Sequence, residues 1–324
     1  MSILIVGGAG YIGSQTAKRV AQAGLEPVVL DNLVHGHRWA VKWGPFVEGD
    51  LADGALIRNV LEDYQVTAVV HFAAYAYVGE SVANPRKYYR NNVAGTLNLL
   101  DAMLDAGVRD IVFSSTCATY GDPVRVPIDE THPQRPVNPY GETKLAIERA
   151  LHWYGRAHGL RFAALRYFNA AGADPDGEVG EDHAPETHLI PLAIEAALGG
   201  KALQIYGTDY PTPDGTAIRD YIHVQDLADA HVAAVERLQG GAASLFANLG
   251  TGRGRSVREV IAAVETVSGA VVPAREAGRR AGDPPELVAD ARLAADVLGW
   301  TARLPDIEAM VAHAWRWRTR RPGA

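Results

Sequence analysis

The chain has a single cysteine, Cys117, in 324 residues, so an internal disulfide and a cysteine-built zinc cage are both excluded. Such usage accords with a reducing compartment, and Cys117 itself reads as a small packing residue. Long apolar runs are missing as well. The opening Met-Ser-Ile-Leu-Ile-Val carries no basic leader and reaches Gly7 too soon for a signal peptide or a membrane span. A cytoplasmic protein is expected. Positive charge is not in excess: 31 basic against 38 acidic side chains leave a net charge of −7, which excludes a field that would draw in nucleic acid or an anionic membrane. Any anionic ligand must then be held locally. There is no internal repeat, low-complexity tract or charge run to mark a linker. No HExxH or comparable spacing is present either; His183 and His188 invite a metal, but surface or core histidines are the simpler reading, and no metal is expected.

With 48% hydrophobic residues the chain has enough apolar surface for a large core in one domain or two. Apolar runs of strand length at 3–6, 27–30, 45–47, 68–72, 111–114 and 162–165 alternate with helical periodicity at 14–23, 55–64 and 92–106. Continuous apolar strands, each followed by a helix, predict an α/β fold with a doubly wound parallel sheet of the Rossmann type. Past Arg166 the rhythm gives way to polar, Pro/Gly-rich stretches at 169–187 and 207–217, which predict a smaller, mostly α C-terminal substrate domain. The run "RDYIHVQDLADAHVAAVERL" is regular again and is expected to return to the first domain. The expected division is therefore 1–168 with about 218–250 as the dinucleotide-binding domain, and 169–217 with 251–324 as the substrate domain.

"ILIVGGAGYIGS" reads as a strand, a glycine turn and a helix start. Gly7, Gly10 and Gly13 allow a tight turn, close approach to a pyrophosphate and packing of helix on strand, with phosphate charge at the helix N-terminus. Gly8 leaves the spacing open by one residue. About twenty residues on, the second strand ends at Asp31, where an acid accepts bonds from ribose hydroxyls and repels a 2′-phosphate. That favours NAD over NADP; a turn or helix-capping aspartate is the alternative. Asp50 after the third strand either caps a helix or faces the adenine.

"NPYGETKLAIER" places Tyr140 and Lys144 one turn apart on a helix that starts after Pro139. The usual meaning of such a pair is a tyrosine packed on a lysine stem. Behind a dinucleotide fold, and at a helix start whose dipole favours a phenolate, it points to proton transfer. Bringing a tyrosine from ~10 to ~7 requires about 4 kcal/mol of preferential stabilisation of the anion. A lysine charge at ~4 Å supplies about 1 kcal/mol in water and about 4 at the effective dielectric of a protein site. The pair therefore works only if sheltered.

The glycine turn, "FSSTCATYG" and "NPYGETK" together resemble the extended short-chain dehydrogenase/reductases, with Thr116, Tyr140 and Lys144 in the places of the catalytic Ser/Thr, Tyr and Lys. "HFAAYAYVGESV", "YYRNNVAGTLNLL", "LRYFNAAGA", "DGTAIRDYIHVQDLADAH" and "RRAGDPPELVADA" are similar, in order and spacing, to the sugar-nucleotide epimerase group of that family across nearly the whole chain. The resemblance implies a resident NAD and reversible C4 epimerisation of a UDP-sugar, UDP-glucose to UDP-galactose, through a transient 4-keto sugar. Dehydratases of the family carry Asp-Glu after the threonine; here Cys117 and Ala118 stand there and cannot do acid/base work.

By family position, Gly7, Gly10, Tyr11, Ile12, Gly13, Asp31, Asn32, Asp50, Leu51, Phe72, Ala73, Ala74, Asn91, Tyr140, Lys144 and Tyr167 lie along the NAD. Thr116, Tyr140, Asn169, His188, Leu189, Arg219, Tyr221, Arg280, Asp283 and Leu287 hold the UDP-sugar. Taken singly, Arg219 with Asp220 reads as a surface salt bridge and Arg279 with Arg280 as a solvated pair. Ala76 replaces a lysine that reaches the cofactor in many relatives, and His188 replaces an asparagine beside the diphosphate. Leu287 occupies the place that sets pocket size, intermediate between a tyrosine that excludes N-acetyl sugars and a small residue that admits them. Epimerisation of UDP-xylose/UDP-arabinose or of UDP-N-acetylhexosamines is thus a rival reading. A non-catalytic NAD sensor on the same fold is another, opposed by the intact Thr116, Tyr140 and Lys144. The family also implies a homodimer through the helices at 92–106 and 140–158.

Overall fold

In the computed structural model, which describes residues 1–280 and 282–320, the chain forms thirteen strands. They are β1 (Ser2–Val6), β2 (Glu26–Asp31), β3 (Phe46–Glu48), β4 (Val66–His71), β5 (Asp110–Thr116), β6 (Arg161–Tyr167) and β7 (Asn169–Ala171). There follow β8 (Leu203–Tyr206), β9 (Ile218–His223), β10 (Leu245–Leu249), β11 (Gly254–Ser256), β12 (Ala274–Ala277) and β13 (Glu286–Leu287). Seven of them make one parallel sheet in the order β10-β6-β5-β4-β1-β2-β3.

Alternation along each strand divides the apolar residues between two layers. Ile3, Ile5, Val29, Val70 and Val112 pack on one face against the helices Tyr11–Gln22 and Val224–Gln239. Leu4, Val28, Leu30, Val69 and Phe113 pack on the other against Gly54–Asp63, Gly95–Asp105 and Pro139–His158. With both faces covered, the strands are apolar throughout, as the sequence shows. Each fully buried leucine or valine of this kind contributes about 1.5–3 kcal/mol.

Strand order reverses between β1 and β4, so their carboxyl ends open a crevice at the switch point. Over it stands a third core of three helices, Leu189–Ala197, Val257–Ser268 and Ile307–Arg320, joined through Ile190, Ile194, Val260, Val264, Met310 and Val311. This is the smaller, mostly α portion. A small sheet of β7, β9, β11 and β13 links it to the first.

Three local differences from the sequence reading have physical causes. The first helix begins at Tyr11 rather than 14, because Gly10 already takes the cap position of the glycine turn. The segment expected as helix from 92 is a π-helix over Tyr89–Ala94 before regular helix starts at Gly95; Asn92 bonds both backbone groups of Tyr75 there, at 2.9 and 3.0 Å. In the stretch expected to return, β9 pairs within the small sheet while its Ile222, the helix Val224–Gln239 and β10 pack into the core of the first domain. Residues 281 and 321–324 of the expected substrate domain lie outside the described residues.

Candidate active site

The crevice is a single cleft of about 1790 Å³, and every site residue expected from the sequence lines it. On the sheet side the glycine turn brings backbone against backbone. A Cβ on Gly7, whose φ is +82°, would stand 2.6 Å from the Ala73 nitrogen, and one on Gly13 would stand 2.2 Å from the Gly7 oxygen. At Gly10, by contrast, the nearest atom is at 3.4 Å, so the turn stays open toward the cleft. The helix behind it has no side-chain cap and no acid in its first turn. Free N–H groups and an open glycine cradle are what a pyrophosphate requires, so the residues fit a dinucleotide.

Asp31 ends β2 with its carboxylate nearly buried, accepting from the Ala9 and Leu33 amides at 3.0 and 2.9 Å. Burial raises its pKa against the lowering by those amides. Asp50 does not cap a helix: it accepts from the Asn32 amide at 2.7 Å and from Ala52 N, while the cap of Gly54–Asp63 is Asp53. His35, Tyr75 and Tyr77 line the cleft as well and were not anticipated. His35 packs edge-on against both tyrosines, and its buried Nε2 has no hydrogen-bond partner among the described residues. The only signal in the sequence is its place four residues after Asp31.

At the centre, Asn138 caps Pro139–His158 by accepting from Gly141 N at 2.9 Å, which sets Tyr140 and Lys144 on the face toward Thr116 at the end of β5. Lys144 is buried and donates to the Ser114 carbonyl at 2.7 Å, with its Nζ 5.9 Å from the centre of the Tyr140 ring. Burial lowers Lys144 to about 7, against the pull of Glu148. Tyr140 is raised, by burial first and by Tyr167 second, with the Thr116 side chain working the other way. The protein alone therefore does not prepare a tyrosinate, as the Tyr-Lys spacing by itself would suggest. Shelter is present, but the same burial that provides it also weakens the positive charge of Lys144 beside the tyrosine. Cys117 is buried beside Phe168 and Ile128, its thiol pushed up to about 12 by burial, consistent with packing.

The small sheet assembles the opposite wall. Asn169 on β7 is in register with Tyr221 on β9, and Leu287 on β13 with Arg219 on β9. Arg219 pairs with Asp283 rather than with Asp220, which is buried and accepts from Thr251, Gly252 and Ala289. Arg280 stacks on Tyr206 at 4.0 Å, while Arg279 pairs with Asp209 at 2.7 Å; both arginines are exposed to solvent. Tyr206, which also lines the cleft, was missed because aromatic residues on short edge strands carry no periodic signal. His188 lines the cleft, but its Nδ1 turns to Glu181.

Fold and site together define a dinucleotide-binding oxidoreductase-type scaffold with a sheltered threonine, tyrosine and lysine between a nucleotide wall and an arginine-bearing wall. Residues 3–250 match the family described as the NAD dependent epimerase/dehydratase family, and the chain belongs to it. It is 51% identical over 323 residues to a UDP-glucose 4-epimerase of Halalkalibacterium halodurans, covering 99% of this chain and 97% of the relative. It superposes on the crystal structure of UDP-glucose 4-epimerase from Brucella ovis in complex with NAD with a TM-score of 0.95, at 55% identity, covering 97% and 98% of the two chains. A third relative, UDP-glucose-4-epimerase from Stenotrophomonas maltophila with bound NAD and formylated UDP-arabinopyranose, is 40% identical with a TM-score of 0.95, over 98% of each chain.

Proposed function

We propose that the protein is an NAD-dependent UDP-sugar 4-epimerase that interconverts UDP-glucose and UDP-galactose. The observation that carries this reading is the meeting of Thr116, Tyr140 and Lys144 in one sheltered cleft, between a glycine turn and the Arg219–Asp283 wall. When bound, NAD supplies a reversible hydride acceptor at C4 and, oxidised, a positive charge beside the pair. Tyr140 takes the proton of the sugar 4-hydroxyl and returns it, Thr116 holds the same oxygen, and Lys144 holds the ribose and favours the tyrosinate. Arg219 and Arg280 grip the diphosphate, a geometry that guanidinium groups suit. With UDP held at its phosphates, the 4-keto sugar turns to present its other face. Cys117 and Ala118 offer no acid or base for an elimination.

In this reading the cofactor domain is 1–168 with about 218–250, and the UDP-sugar domain is 169–217 with 251–324. We place the protein in the cytoplasm on its single cysteine; no helix among the described residues is long and apolar enough to cross a membrane. A homodimer through Gly95–Asp105 and Pro139–His158 is supported by Trp153, 64% exposed on the second of these helices.

A second reading, a UDP-xylose/UDP-arabinose 4-epimerase, is favoured by Leu287, which lines the cleft and packs toward Cys117 and Phe168. A proton NMR time course with UDP-galactose and UDP-xylose together, no cofactor added, tests both. Faster conversion of the hexose supports the first reading, faster conversion of the pentose the second. Silence with both sugars, repeated after NAD addition, contradicts both.

A further inference from the structure

Between the Pro/Gly-rich stretch and the helix Leu189–Ala197, the sequence reads Glu181-x-His183-x-x-Glu186-x-His188. The donor atoms of these four side chains lie within 4.8 Å of one another. The carboxylates are only 6% and 10% exposed, and among the described residues their ion-pair partners are the two histidines. Both imidazoles aim Nδ1 at the same oxygen, Oε1 of Glu181: His183 from 3.0 Å and His188 from closer still. His183 Nδ1 is also 3.8 Å from Glu186 Oε2, and it is buried without an aligned hydrogen bond.

Two buried carboxylates must be neutralised where they stand. Two imidazolium ions do this, and so does one dication with two neutral imidazoles; the charge sums are equal. The second arrangement also gives the His183 nitrogen a bond. Tetrahedral zinc with bonds of about 2.0–2.1 Å places its ligand atoms roughly 3.3 Å apart, a spacing these donors need little movement to reach. A mixed set of imidazole and carboxylate favours zinc-class ions over calcium or magnesium.

The backbone of the segment is fixed from outside. Trp317 donates to the Glu181 carbonyl at 3.0 Å, His37 Nε2 to that of Asp182 at 2.8 Å, and the Tyr77 hydroxyl to that of Pro185 at 3.1 Å. Anchors from three distant parts of the chain hold the ligands in place before any ion arrives. A second cluster, Asp174, Asp176 and Glu178, shows the contrast: Lys18 Nζ already sits among them at 2.9, 2.7 and 2.7 Å, where a cation would stand.

We propose that Glu181, His183, Glu186 and His188 bind one divalent zinc-class ion, which staples the segment carrying His188 and Leu189 into the cleft. The ion's place is structural: the four protein donors close the tetrahedron and leave no position for a reacting molecule.

The test uses untagged, NAD-containing protein stripped with EDTA, dialysed against zinc chloride, passed through gel filtration and assayed for zinc by mass spectrometry. The site predicts about one zinc per chain, and cobalt in its place gives the strong visible absorption of tetrahedral coordination. His183→Ala and Glu186→Gln, each checked for folding by circular dichroism, should lose zinc affinity by roughly 10–100-fold or more. The double variant His152→Ala/His158→Ala, which removes histidines elsewhere on the surface, should keep its zinc. Less than roughly a tenth of an ion per chain, or zinc undiminished in both ligand variants, overturns the proposal. If a ligand variant fails to fold, the cobalt spectrum of the unaltered protein decides: weak octahedral bands contradict the site.

Discussion

On the cofactor side of the cleft the chain meets itself backbone to backbone, with Gly7 against Ala73 and Gly13 against Gly7, whereas on the substrate side Arg219, Asp283, Arg280 and Tyr206 meet through side chains. Backbone contacts at the carboxyl ends of buried strands cannot open without disturbing the sheet. Side-chain pairs can change partners: Asp283 can release Arg219 to a phosphate at the cost of one partly buried ion pair. The first wall suits a ligand that stays, the second a ligand that enters, turns and leaves.

The largest expected effect separates chemistry from both walls. Tyr140→Phe should lower kcat by roughly 10²–10⁴-fold while NAD, released by denaturation and measured by absorbance, remains at the wild-type amount. Full activity in that variant would remove the proton-transfer role. Next, Arg219→Met should raise KM for the UDP-sugar with a loss of about 1.5–3 kcal/mol of binding and no loss of NAD. A fall in NAD content would break the division of labour between the walls. On the other side, Gly13→Ala forces a Cβ to 2.2 Å from the Gly7 oxygen. It should cost roughly 1–3 kcal/mol in urea unfolding and release NAD; unchanged NAD retention would show the close approach to be dispensable.

The smallest effect is a pH dependence. Burial holds Lys144 at about 7 in the folded chain, against 10.5 for the ordinary side chain. Above about 7 the unfolded chain binds a proton that the folded chain has released, so stability rises with pH until the unfolded lysine titrates, and the contribution is lost as pH falls through 7. In NAD-free protein the stability difference between wild type and Lys144→Met should therefore grow in favour of wild type from pH 7 to 9. A difference independent of pH would mean that Lys144 is charged throughout.

Much of the cofactor wall is readable in the sequence because its determinants are local. Apolar runs that alternate with helical periodicity define the sheet, and four glycines in seven residues define the turn. Tyr140 and Lys144 are legible for the same reason, since one helical turn fixes their common face. What surrounds them is not: the Ser114 carbonyl that holds Lys144 lies thirty residues away on β5. The substrate wall is built from strands of two to six residues that pair across long separations, as Asn169 does with Tyr221 and Leu287 with Arg219. No periodic pattern announces such strands. Family resemblance supplied those residues, whereas the Arg219–Asp283 pair and the His35–Tyr75 contact emerged only from the fold. Asp50 shows the limit of a motif: an acid after a strand looks like a cap, yet Asp53 takes that role and leaves Asp50 to Asn32.

The most direct test of the account follows deuterium at C4 of UDP-galactose through turnover in the presence of excess external NAD and unlabelled NADH. A resident cofactor facing a sugar that turns in place predicts UDP-glucose that keeps the deuterium at C4. Protium at C4 of the product, with deuterium in the external nucleotide pool, would contradict it.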